Sequence, residues 1–381
     1  MSDFHPCIVR LGQISDLTNS DFLQITTVMN EYPVIIRKGD FKEGQLAAFI
    51  CYDAVVPDTE QFHFLAPTYD VGSVPVGKRT IKCRKLRGSY SEGLLVPAPP
   101  HLNEGDCIIE HFGLIKRVYD EEVSEHPSNK NKGSNENEKS PKTFQLFKYD
   151  LEGMAKYGYA FEDGEEVLIA EKLDGENFSM TYAEDKLWVR SRNFFKRNGN
   201  KQPLNKGPLS LKKLFFNLKS HLIGLKESIK QWHKPVALSP WWEVPIRLGL
   251  EKKLKKYPYL AFFAEFYGNL KSWQYDCKIV NGKVQREIRI FDIYDVKKKR
   301  FLEWHDVEAI CKEIGLNTVP ILYKGPWKTD RSLHSLAEGK SVLGDCVREG
   351  FVMRSIPESY HSQLGRKIIK LKGRDYKLAK G

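Results

Sequence analysis

The sequence predicts an α+β protein, with a small N-terminal β-barrel followed by a larger domain of antiparallel sheets and helices. Residues 7–120 show only short strand patterns separated by Gly, Pro and Asp, without a long helical pattern. Residues 144–381 mix strand patterns with helical ones. Residues 124–142 contain no apolar side chain, and 381 residues suffice for two domains that each bury a core.

The N-terminal part contains six segments whose composition predicts strands. Apolar and β-branched residues dominate each segment, and turn-forming residues separate them. The segments are Cys7–Gln13, Leu23–Met29, Val34–Arg37, Gln45–Cys51, Thr80–Leu86 and Gly93–Val96. Several short strands without a long helix predict a small all-β barrel.

The fifth of these strands is strongly basic. Six Lys or Arg residues lie between Lys78 and Arg87, and Tyr90 follows in the next turn. A basic strand beside an aromatic residue is typical of an OB-type face that binds single strands or backbone phosphates. Lysines on a solvated edge strand, which prevent aggregation, give the same pattern. The strand itself leaves both interpretations open.

The polar stretch between the two parts predicts a linker. It consists only of Ser, Asn, Lys, Glu, Pro, Gly and His, which cannot bury enough surface to offset the entropy of ordering. We therefore expect an N-terminal domain at residues 1–120, a disordered linker at 121–143 and a second domain at 144–381.

The clearest helical pattern lies at residues 209–232, where apolar residues recur every three or four positions and lysines occupy other positions. A core helix with a solvated basic face, a membrane-surface or calmodulin-binding type of helix, and a helix beside a nucleic-acid groove all fit it. Further along, Trp241–Lys256, Asp306–Ile314 and Ser335–Glu338 predict helical segments, and Tyr259–Phe266 predicts a strand.

Charge and cysteine usage narrow the class of protein. The net charge is +11, and residues 200–258 alone hold thirteen Lys or Arg against three Glu, which indicates a polyanionic partner such as nucleic acid or an acidic membrane surface. No apolar run reaches the ~18 residues of a membrane span, and the N-terminus lacks a signal-peptide pattern. The seven cysteines are scattered and never spaced Cys-x-x-Cys, which favours an intracellular, reducing compartment and argues against a structural zinc site.

A short stretch around Lys172 is the centre of the second domain. Apolar residues 167–170 precede Glu171-Lys172-Leu173-Asp174-Gly175-Glu176-Asn177, and residues 178–182 follow as another strand pattern. This pattern predicts two strands joined by a tight turn, with Lys172 at the edge of a sheet. Lys-x-Asp-Gly is common by chance, and an isolated lysine of this kind is an ordinary surface charge.

Five further motifs follow in a fixed order. They are Ser191-Arg192-Asn193, Phe263-Ala264-Glu265-Phe266-Tyr267-Gly268, Ile290-Phe291-Asp292-Ile293-Tyr294, Glu349-Gly350-Phe351-Val352 and Ile369-Lys370-Leu371-Lys372-Gly373. Together with the Lys172 stretch they resemble the six ordered motifs of the covalent nucleotidyltransferase superfamily, which contains ATP-dependent ligases and capping enzymes. Glu-Lys-x-x-Gly-x-Asn, Ser-Arg-Asn and Lys-x-Lys are most similar to RNA ligases, and residues 7–120 look like the N-terminal OB module of one branch of them.

The resemblance implies a role for each motif residue. Lys172 would be the nucleophile that carries AMP, and Lys370 and Lys372 would hold the nucleotide's phosphates during displacement of pyrophosphate. Asp174 and Glu349 would organise a divalent metal, Mg or Mn, through waters, as a hard cation prefers. The residues implied in binding ATP are Glu171, Asn177, Arg192, Glu265, Phe291, Glu349, Lys370 and Lys372. The OB resemblance favours nucleic-acid binding by the basic strand, through Lys82, Arg84 and Arg87.

The chemistry of a lysine nucleophile fits these neighbours. Only about one lysine in a few thousand is deprotonated at neutral pH, because the ordinary pKa is near 10.4. Burial, neighbouring cations or a metal lower that pKa. Lys370 and Lys372, two residues apart on a strand, would face the same side and supply two cations. Two lysines and a metal are what phosphoryl transfer needs, because it depends mostly on positioning and charge neutralisation.

We therefore expect an ATP-dependent RNA ligase that joins 3′-hydroxyl and 5′-phosphate ends at nicks, through lysyl-AMP and an adenylylated strand. Its partner would be nucleic acid with a broken strand, either RNA or an RNA-containing duplex. We expect no membrane partner, and we expect the protein to be a monomer. The Lys172 stretch is followed by Asn177-Phe178, where many DNA ligases and capping enzymes carry an arginine, which favours an RNA ligase. Only eight residues follow Gly373, too few for the C-terminal OB domain of DNA ligases and capping enzymes.

Three alternatives remain at this point, namely a DNA ligase, a capping guanylyltransferase, and a nucleic-acid-binding protein with an inactive transferase fold. Lys172 together with Lys370 and Lys372 argues against the inactive protein. Because every motif for ATP lies after residue 165, we also expect residues 1–120 to grip the broken strand and to take no part in lysyl-AMP formation.

Overall fold

The N-terminal part forms the predicted barrel of short strands. The computed structural model describes residues 4–18, 20–117, 137–198, 239–268 and 275–380. The strands of the barrel are β1 (Cys7–Arg10), β2 (Ile14–Asp16), β3 (Leu23–Val28), β4 (Tyr32–Arg37), β5 (Leu46–Cys51), β6 (Ala54–Val55), β7 (Arg84–Leu86), β8 (Ser89–Ser91), β9 (Gly93–Pro97) and β10 (Ile115–Lys116). Helices α1 (Val76–Arg79) and α2 (Ile109–Phe112) and a 3₁₀ turn (Glu60–Leu65) lie between them.

The barrel strands pair in four short antiparallel sheets. The orders are β1-β5-β9, β2-β3-β4, β6-β10 and β7-β8. Side chains of β5 alternate between two apolar clusters, with Phe49 in one and Ile50 in the other, as the two-residue period of a strand requires. β4 closes onto β8 and β9, because the Ile35 N–H donates to Ser91 Oγ at 3.1 Å and the Glu92 N–H donates to the Pro33 carbonyl at 2.8 Å.

The basic strand predicted at Thr80–Leu86 is wrong in its first half, since only Arg84–Leu86 is a strand. Thr80 forms only an isolated bridge with Val55, directly after α1, and no strand covers residues 81–83. Arg79 donates from its guanidinium to the Val56 carbonyl at 2.7 Å, and the Thr80 hydroxyl donates to the Val76 carbonyl at 2.7 Å. These side-chain bonds favour a turn over an extended ladder.

The predicted disordered linker at 121–143 is wrong in its last residues. β11 (Asn137–Glu138) pairs antiparallel with β16 (Phe195–Lys196) at the edge of a sheet of the second domain. The N–H groups of Lys142 and Thr143 donate to Glu184 at 3.0 and 2.9 Å. A sheet edge satisfies backbone groups without burying apolar side chains, so polar residues can be ordered there. The part of the interval before residue 137 lies outside the described residues.

The second domain consists of two main sheets. The larger has the order β11-β16-β15-β14-β17-β20-β21 and is antiparallel throughout. Its further strands are β14 (Glu176–Ala183), β15 (Lys186–Ser191), β17 (Leu260–Tyr267), β20 (Glu287–Asp295) and β21 (Arg300–Phe301). The other has the order β12-β26-β23-β13-β22, in which only β12 and β26 run parallel among the described strands. Its strands are β12 (Glu152–Gly153), β13 (Glu166–Lys172), β22 (Ile321–Pro326), β23 (Gly350–Ser355) and β26 (Ile368–Lys372).

Two small hairpins and several helices complete the second domain. The hairpins are β18 (Ile279–Val280) with β19 (Lys283–Val284) and β24 (Tyr360–His361) with β25 (Gly365–Arg366). The helices are α3 (Met154–Tyr157), α4 (Glu243–Arg247), α5 (Leu250–Leu254), α6 (Trp304–Ile314) and α7 (Arg374–Lys380), with 3₁₀ turns at Gly158–Ala160, Pro240–Trp242 and Ser332–Ala337. No helix of the described residues is long and apolar enough to cross a membrane.

The helical predictions fare unevenly. The helix at Asp306–Ile314 is confirmed within α6, and Ser335–Glu338 overlaps a 3₁₀ turn rather than an α-helix. The continuous helix predicted at Trp241–Lys256 is wrong, because Gly249 adopts a left-handed conformation at φ +61° and divides it into α4 and α5. The helix predicted at 209–232 lies outside the described residues.

The turn after Lys172 passes from one sheet to the other. β13 lies inside the five-stranded sheet, between β23 and β22, whereas β14 lies inside the seven-stranded sheet. The predicted two strands are confirmed, but they do not pair with each other, and Lys172 ends an interior strand rather than an edge strand. Leu168 and Phe178, one on each of these strands, belong to the same apolar cluster, so this connection lies where the two sheets face each other across the core.

Candidate active site

Three strands of the five-stranded sheet place the motif lysines side by side. Lys172 pairs with Gly350 on β23, and Gly350 pairs with Lys372 on β26. Lys370 lies two residues earlier on β26 and therefore on the same face as Lys372, as the sequence predicted. Residues separated by some 180 positions in the chain thus become immediate neighbours through sheet register.

Two glycines make this close approach possible. A Cβ on Gly350 would lie 2.0 Å from the Leu371 carbonyl oxygen, and its φ of +149° falls in the region that favours glycine. A Cβ on Gly175, in the turn after Lys172, would lie 2.5 Å from the Phe266 carbonyl oxygen. These motif glycines let the strands that carry Lys172, Lys372 and Glu265 pack without a side chain between them.

Lys172 and Glu349 form the central ion pair. Lys172 Nζ donates to Glu349 Oε2 at 2.7 Å, and Lys372 Nζ lies 3.8 Å from Glu349 Oε1. The Lys172 side chain is 23% exposed and that of Glu349 only 5%. Burial lowers the pKa of Lys172, but the charges of Glu349 and Glu265 outweigh burial and the nearby Lys372, so the net pKa is raised. Without nucleotide, Lys172 is therefore a bound ammonium.

Glu265 joins this cluster from the other sheet. Glu265 on β17 pairs with Asn177 on β14. Its side chain lies beside Gly175, in the turn after Lys172. Burial raises the pKa of Glu265 to about 8, and the charges of Glu349 and Asp174 add to this effect while Lys172 opposes it. The three carboxylates therefore share a crowded site that a cation would stabilise.

Asp174 is held by groups that the sequence did not indicate. Its N–H donates to the hydroxyl of Tyr275 at 2.6 Å. Its carboxylate lies 3.1 Å from Lys380 Nζ and is hydrogen-bonded to the buried Tyr376 hydroxyl, and both residues belong to α7. Burial and the charge of Glu349 raise the pKa of Asp174, whereas Lys380 lowers it.

Arg192 and Lys370 meet at a fourth carboxylate, Asp150. Arg192 donates from its guanidinium to Asp150 Oδ2 at 3.0 Å, and Lys370 Nζ lies 3.9 Å from Asp150 Oδ1. The next residues form β12, which pairs with β26 so that Gly153 lies beside Lys370. Asp150 was not singled out by the sequence, yet it connects two cations implied in phosphate binding.

Phe291 occupies a β-bulge. Between β17 and β20 the register passes from the pair Phe263–Asp292 to the pair Ala264–Ile290, which leaves Phe291 as the extra residue. The ring lies 4.9 Å from that of Tyr149, and the Phe291 carbonyl accepts from Arg354 at 2.7 Å. Phe291 is half-buried, so part of the ring remains accessible to a planar ligand.

Glu171 and Asn177 carry buried oxygens without a hydrogen-bond partner among the described residues. Glu171 is 2% exposed; its Oε2 accepts from the Val342 N–H at 2.9 Å, while Oε1 has no partner. Asn177 Oδ1 is also buried without one. Because unpaired buried acceptors are costly, they indicate a donor supplied by a ligand.

A divalent cation fits the carboxylates beside Lys172. Asp174, Glu265 and Glu349 supply hard oxygen ligands. No group of three His, Cys, Asp or Glu in the described residues is close enough to hold a metal directly. The expected contact of Asp174 and Glu349 with the metal through waters, which Mg²⁺ and similar ions retain, stays a prediction.

The predicted nucleic-acid residues lie on and beside the hairpin β7–β8. Arg84 and Arg87 are exposed, and Lys82 is half-buried just before the hairpin. Lys85 lies 4.8 Å from the ring of Tyr90, and the Tyr90 hydroxyl donates to Asp375 on α7. The basic hairpin is thus fixed to the helix that also touches Asp174.

Comparison with known proteins identifies the family. A family model described as RNA ligase matches residues 165–372, and another described as an OB-fold domain matches residues 6–98. These matches confirm the expected OB-like N-terminal domain and the ligase domain after it. The chain belongs to the RNA ligase family, and it is a ligase that acts on RNA. A search of curated proteins found no match.

Solved structures of an RNA ligase from Naegleria gruberi share the fold over nearly the whole chain. The structure with PPi has a TM-score of 0.67 at 18% identity and covers 99% of this chain and 98% of that one. A lysine-to-alanine variant with ATP and Mn has a TM-score of 0.68 at 20% identity, covering 98% of both chains. A glutamate-to-alanine variant with AMP and Mn has a TM-score of 0.68 at 19% identity, covering 98% and 97%. The likeness shows a common two-domain fold.

Proposed function

We propose that this ligase uses ATP to seal a 3′-hydroxyl to a 5′-phosphate at nicks in RNA or RNA-containing duplexes, with Lys172 as the covalent nucleophile. The observation that carries the proposal is the register that aligns Lys172, Gly350 and Lys372, with Glu349 joining both lysines. An ordinary surface lysine would not need to be enclosed in this way. It would also not need Gly350, whose missing side chain lets the strand that carries Lys372 approach.

In the first step the Lys172 ammonium loses a proton to solvent, and its neutral Nζ attacks the α-phosphorus of ATP. A bond from nitrogen to phosphorus forms, the bond to the bridging oxygen breaks, and pyrophosphate leaves. Lys370, Lys372 and Arg192 neutralise the phosphates, which is the main protein contribution to phosphoryl transfer. Their present anionic partners, Glu349 and Asp150, hold them in the site before the nucleotide arrives.

The remaining site residues position the nucleoside. The accessible part of the Phe291 ring stacks on adenine, Glu265 binds the ribose hydroxyls, and the unpaired oxygens of Glu171 and Asn177 accept from donors of the nucleotide. A divalent ion, Mg or Mn, bound through waters at Asp174 and Glu349, supplies positive charge that favours neutral Lys172 and stabilises the phosphates. The Naegleria gruberi structures with ATP and Mn and with AMP and Mn support the choice of ATP and a divalent ion as ligands.

Transfer of AMP from Lys172 to the 5′-phosphate follows, and then the 3′-hydroxyl attacks the activated phosphate and releases AMP. Arg84 and Arg87 on the exposed hairpin, with Lys82 just before it, bind backbone phosphates of the broken strand. We further propose that the enzyme acts as a monomer. We place it in an intracellular compartment by proposal as well, since all seven cysteines are free. The N-terminal unit ends near residue 120, and the catalytic unit comprises residues 144–381 together with β11, which pairs with its larger sheet.

Labelling with α-labelled ATP and sealing of nicks test this proposal. Lys172→Ala should abolish label transfer to the protein, yet it should still seal a nick that is already adenylylated, because the nucleophile acts only before AMP reaches the strand. Glu349→Ala should impair both reactions, whereas Lys156→Ala, which removes a surface lysine near Glu152, should impair neither. The roles assigned here would be refuted if Lys172→Ala carried label on another lysine. They would also be refuted if the Lys172 and Glu349 variants lost sealing of adenylylated nicks equally.

A further inference from the structure

Helix α7 connects the N-terminal domain to the nucleotide site. At about 100° per residue, Arg374 and Lys377 lie on one side of this helix, and Tyr376 and Lys380 lie on another. The first pair contacts Glu92 of the N-terminal domain, and the second pair contacts Asp174 beside the nucleophile. The same short helix therefore touches both domains at charged groups.

Glu92 is buried in the domain contact. It is 1% exposed; Oε1 accepts from Arg374 Nε at 2.8 Å, and Oε2 accepts from Lys377 Nζ, which is itself buried. Its N–H donates to the Pro33 carbonyl, so the carboxylate is rigidly attached to the barrel. A buried carboxylate with two cationic partners is costly to disturb, because removing its charge leaves the buried Lys377 without its carboxylate partner.

Further bonds hold α7 against the barrel. The Tyr90 hydroxyl of the basic hairpin donates to Asp375, and Arg374 donates to the Glu31 carbonyl at 3.2 Å. On the ligase side, the Arg374 N–H donates to Glu338 at 2.8 Å. The orientation of α7 is thus set by the two domains together.

Asp174 depends on the other face of α7. Lys380 Nζ and the Tyr376 hydroxyl both hold its carboxylate, and Tyr376 is only 5% exposed. Asp174 is two residues from Lys172 in a turn that crosses between the sheets. A small rotation of α7 would therefore move the carboxylate relative to the nucleophile.

We propose that Glu92 is a positioning residue for the first reaction step, because it fixes α7 through Arg374 and Lys377, and α7 in turn fixes Asp174. This inference rests on the proposed self-adenylylation of Lys172. It replaces the sequence-based expectation that residues 1–120 take no part in lysyl-AMP formation, since one of those residues holds the helix that supports the site.

Single-turnover label transfer from α-labelled ATP in the full-length protein tests the inference. Glu92→Gln keeps the shape of the side chain and removes its charge. The matched control is Glu104→Gln in the same domain, where Glu104 is exposed and pairs with Arg10 at 2.9 Å. At saturating ATP, Glu92→Gln should lower the rate constant at least ten-fold, and Glu104→Gln should match the wild type. A fall in apparent ATP affinity alone, with an unchanged rate constant, would overturn the inference.

A double-mutant cycle separates positioning from general loosening. Glu92 contacts α7 through Arg374 and Lys377, whereas Lys380 contacts Asp174, so the effects of Glu92 and Lys380 should multiply if each acts independently. If both act on Asp174 through α7, Glu92→Gln combined with Lys380→Met should be no more than about two-fold slower than the slower single variant. Multiplied effects would overturn the inference.

Two further outcomes are decisive. If circular dichroism shows that Glu92→Gln is unfolded, Tyr90→Phe replaces it, because this substitution deletes only the bond to Asp375. A fall of about three-fold or more in the rate constant of Tyr90→Phe supports the inference, and a wild-type rate constant overturns it. If the wild type becomes labelled and Glu92→Gln is labelled at the same rate, this inference is overturned while the proposed function stands. Absence of label on the wild type would overturn the proposed function and this inference together.

Discussion

Replacing Asp292 by Asn should destabilise the ligase domain severely, because Asp292 is the centre of a buried ionic network. Asp292 is fully buried and lies 3.3 Å from Arg354, which is itself only 2% exposed. It also accepts from Arg366 at 3.1 Å and from the Tyr149 hydroxyl at 2.6 Å. Glu358 accepts from Arg366 at 2.6 Å, so two carboxylates balance two guanidinium groups.

The magnitude follows from the loss of that balance. Asp292→Asn keeps the volume but leaves one uncompensated positive charge in the interior, and its amide group offers donors where Arg354 and Arg366 also present donors. Breaking a buried pair in this way costs about 3–5 kcal/mol. For a domain of this size, that loss lowers the melting temperature by roughly 6–20 °C.

The pH dependence of this contribution has a definite sign. Burial raises the pKa of Asp292, but Arg366 and Arg354 outweigh burial and hold the pKa below its ordinary value. A carboxylate with a depressed folded pKa stabilises the protein fully above its unfolded pKa, about 3.9, and loses that contribution as pH falls through the folded value. The stability difference between wild type and Asp292→Asn should therefore be constant from about pH 5 to 7 and should narrow only below about pH 4.

Denaturant unfolding followed by circular dichroism at several pH values measures this difference. The matched control is Asp345→Asn, because Asp345 pairs with Lys340 on the surface and is 94% exposed, so its unfolding midpoint should not change. Equal midpoints for the Asp292 and Asp345 variants at pH 7 would refute the argument that the buried network carries this stability.

Two other predictions concern the site and the hairpin. Gly350→Ala should reduce label transfer to Lys172 at least a hundred-fold, because its Cβ would meet the Leu371 carbonyl at 2.0 Å and force β23 and β26 apart. The control Gly12→Ala, whose Cβ would have nothing within 4 Å, should leave label transfer unchanged. A wild-type rate in Gly350→Ala would contradict the register argument. Replacing the three basic hairpin residues by Ala should weaken binding of nicked duplex and flatten the slope of log affinity against log salt by up to about 2–3, measured by fluorescence anisotropy; an unchanged slope would exclude phosphate contacts by this set, Lys82, Arg84 and Arg87.

The sequence was most informative where chemistry and backbone geometry constrain the same residues. Lys172, Lys372 and Glu349 were predicted from motif order, and strand register then brought them together. The two-residue period of a strand also predicted the common face of Lys370 and Lys372. Short apolar strands such as β3 and β5 were likewise found within a residue of their predicted bounds, because apolar composition and turn residues determine them locally.

The sequence was less informative where distant contacts decide the local structure. The turn after Lys172 has the composition of a hairpin, but packing of two sheets separates its strands. The apolar and basic residues of Trp241–Lys256 fit one helix, yet Gly249 divides it, which its low helix propensity indicates only weakly. Asn137–Glu138 is ordered by the edge of a sheet, and composition carries no information about such a partner.

The residues that sequence reasoning missed share a physical feature, in that each acts through a partner far away in the chain. Asp150 lies in no recognised motif, and its importance appears only when Arg192 and Lys370 are brought to it from separate strands. Lys377 and Lys380 stand in a lysine-rich segment whose composition is typical of a solvated surface, yet one binds a buried carboxylate of the other domain and the other binds Asp174. Motif order can identify groups that touch the reacting atoms, because their chemistry limits the residue type. Groups that hold them in place can be any complementary pair, so only the fold reveals them.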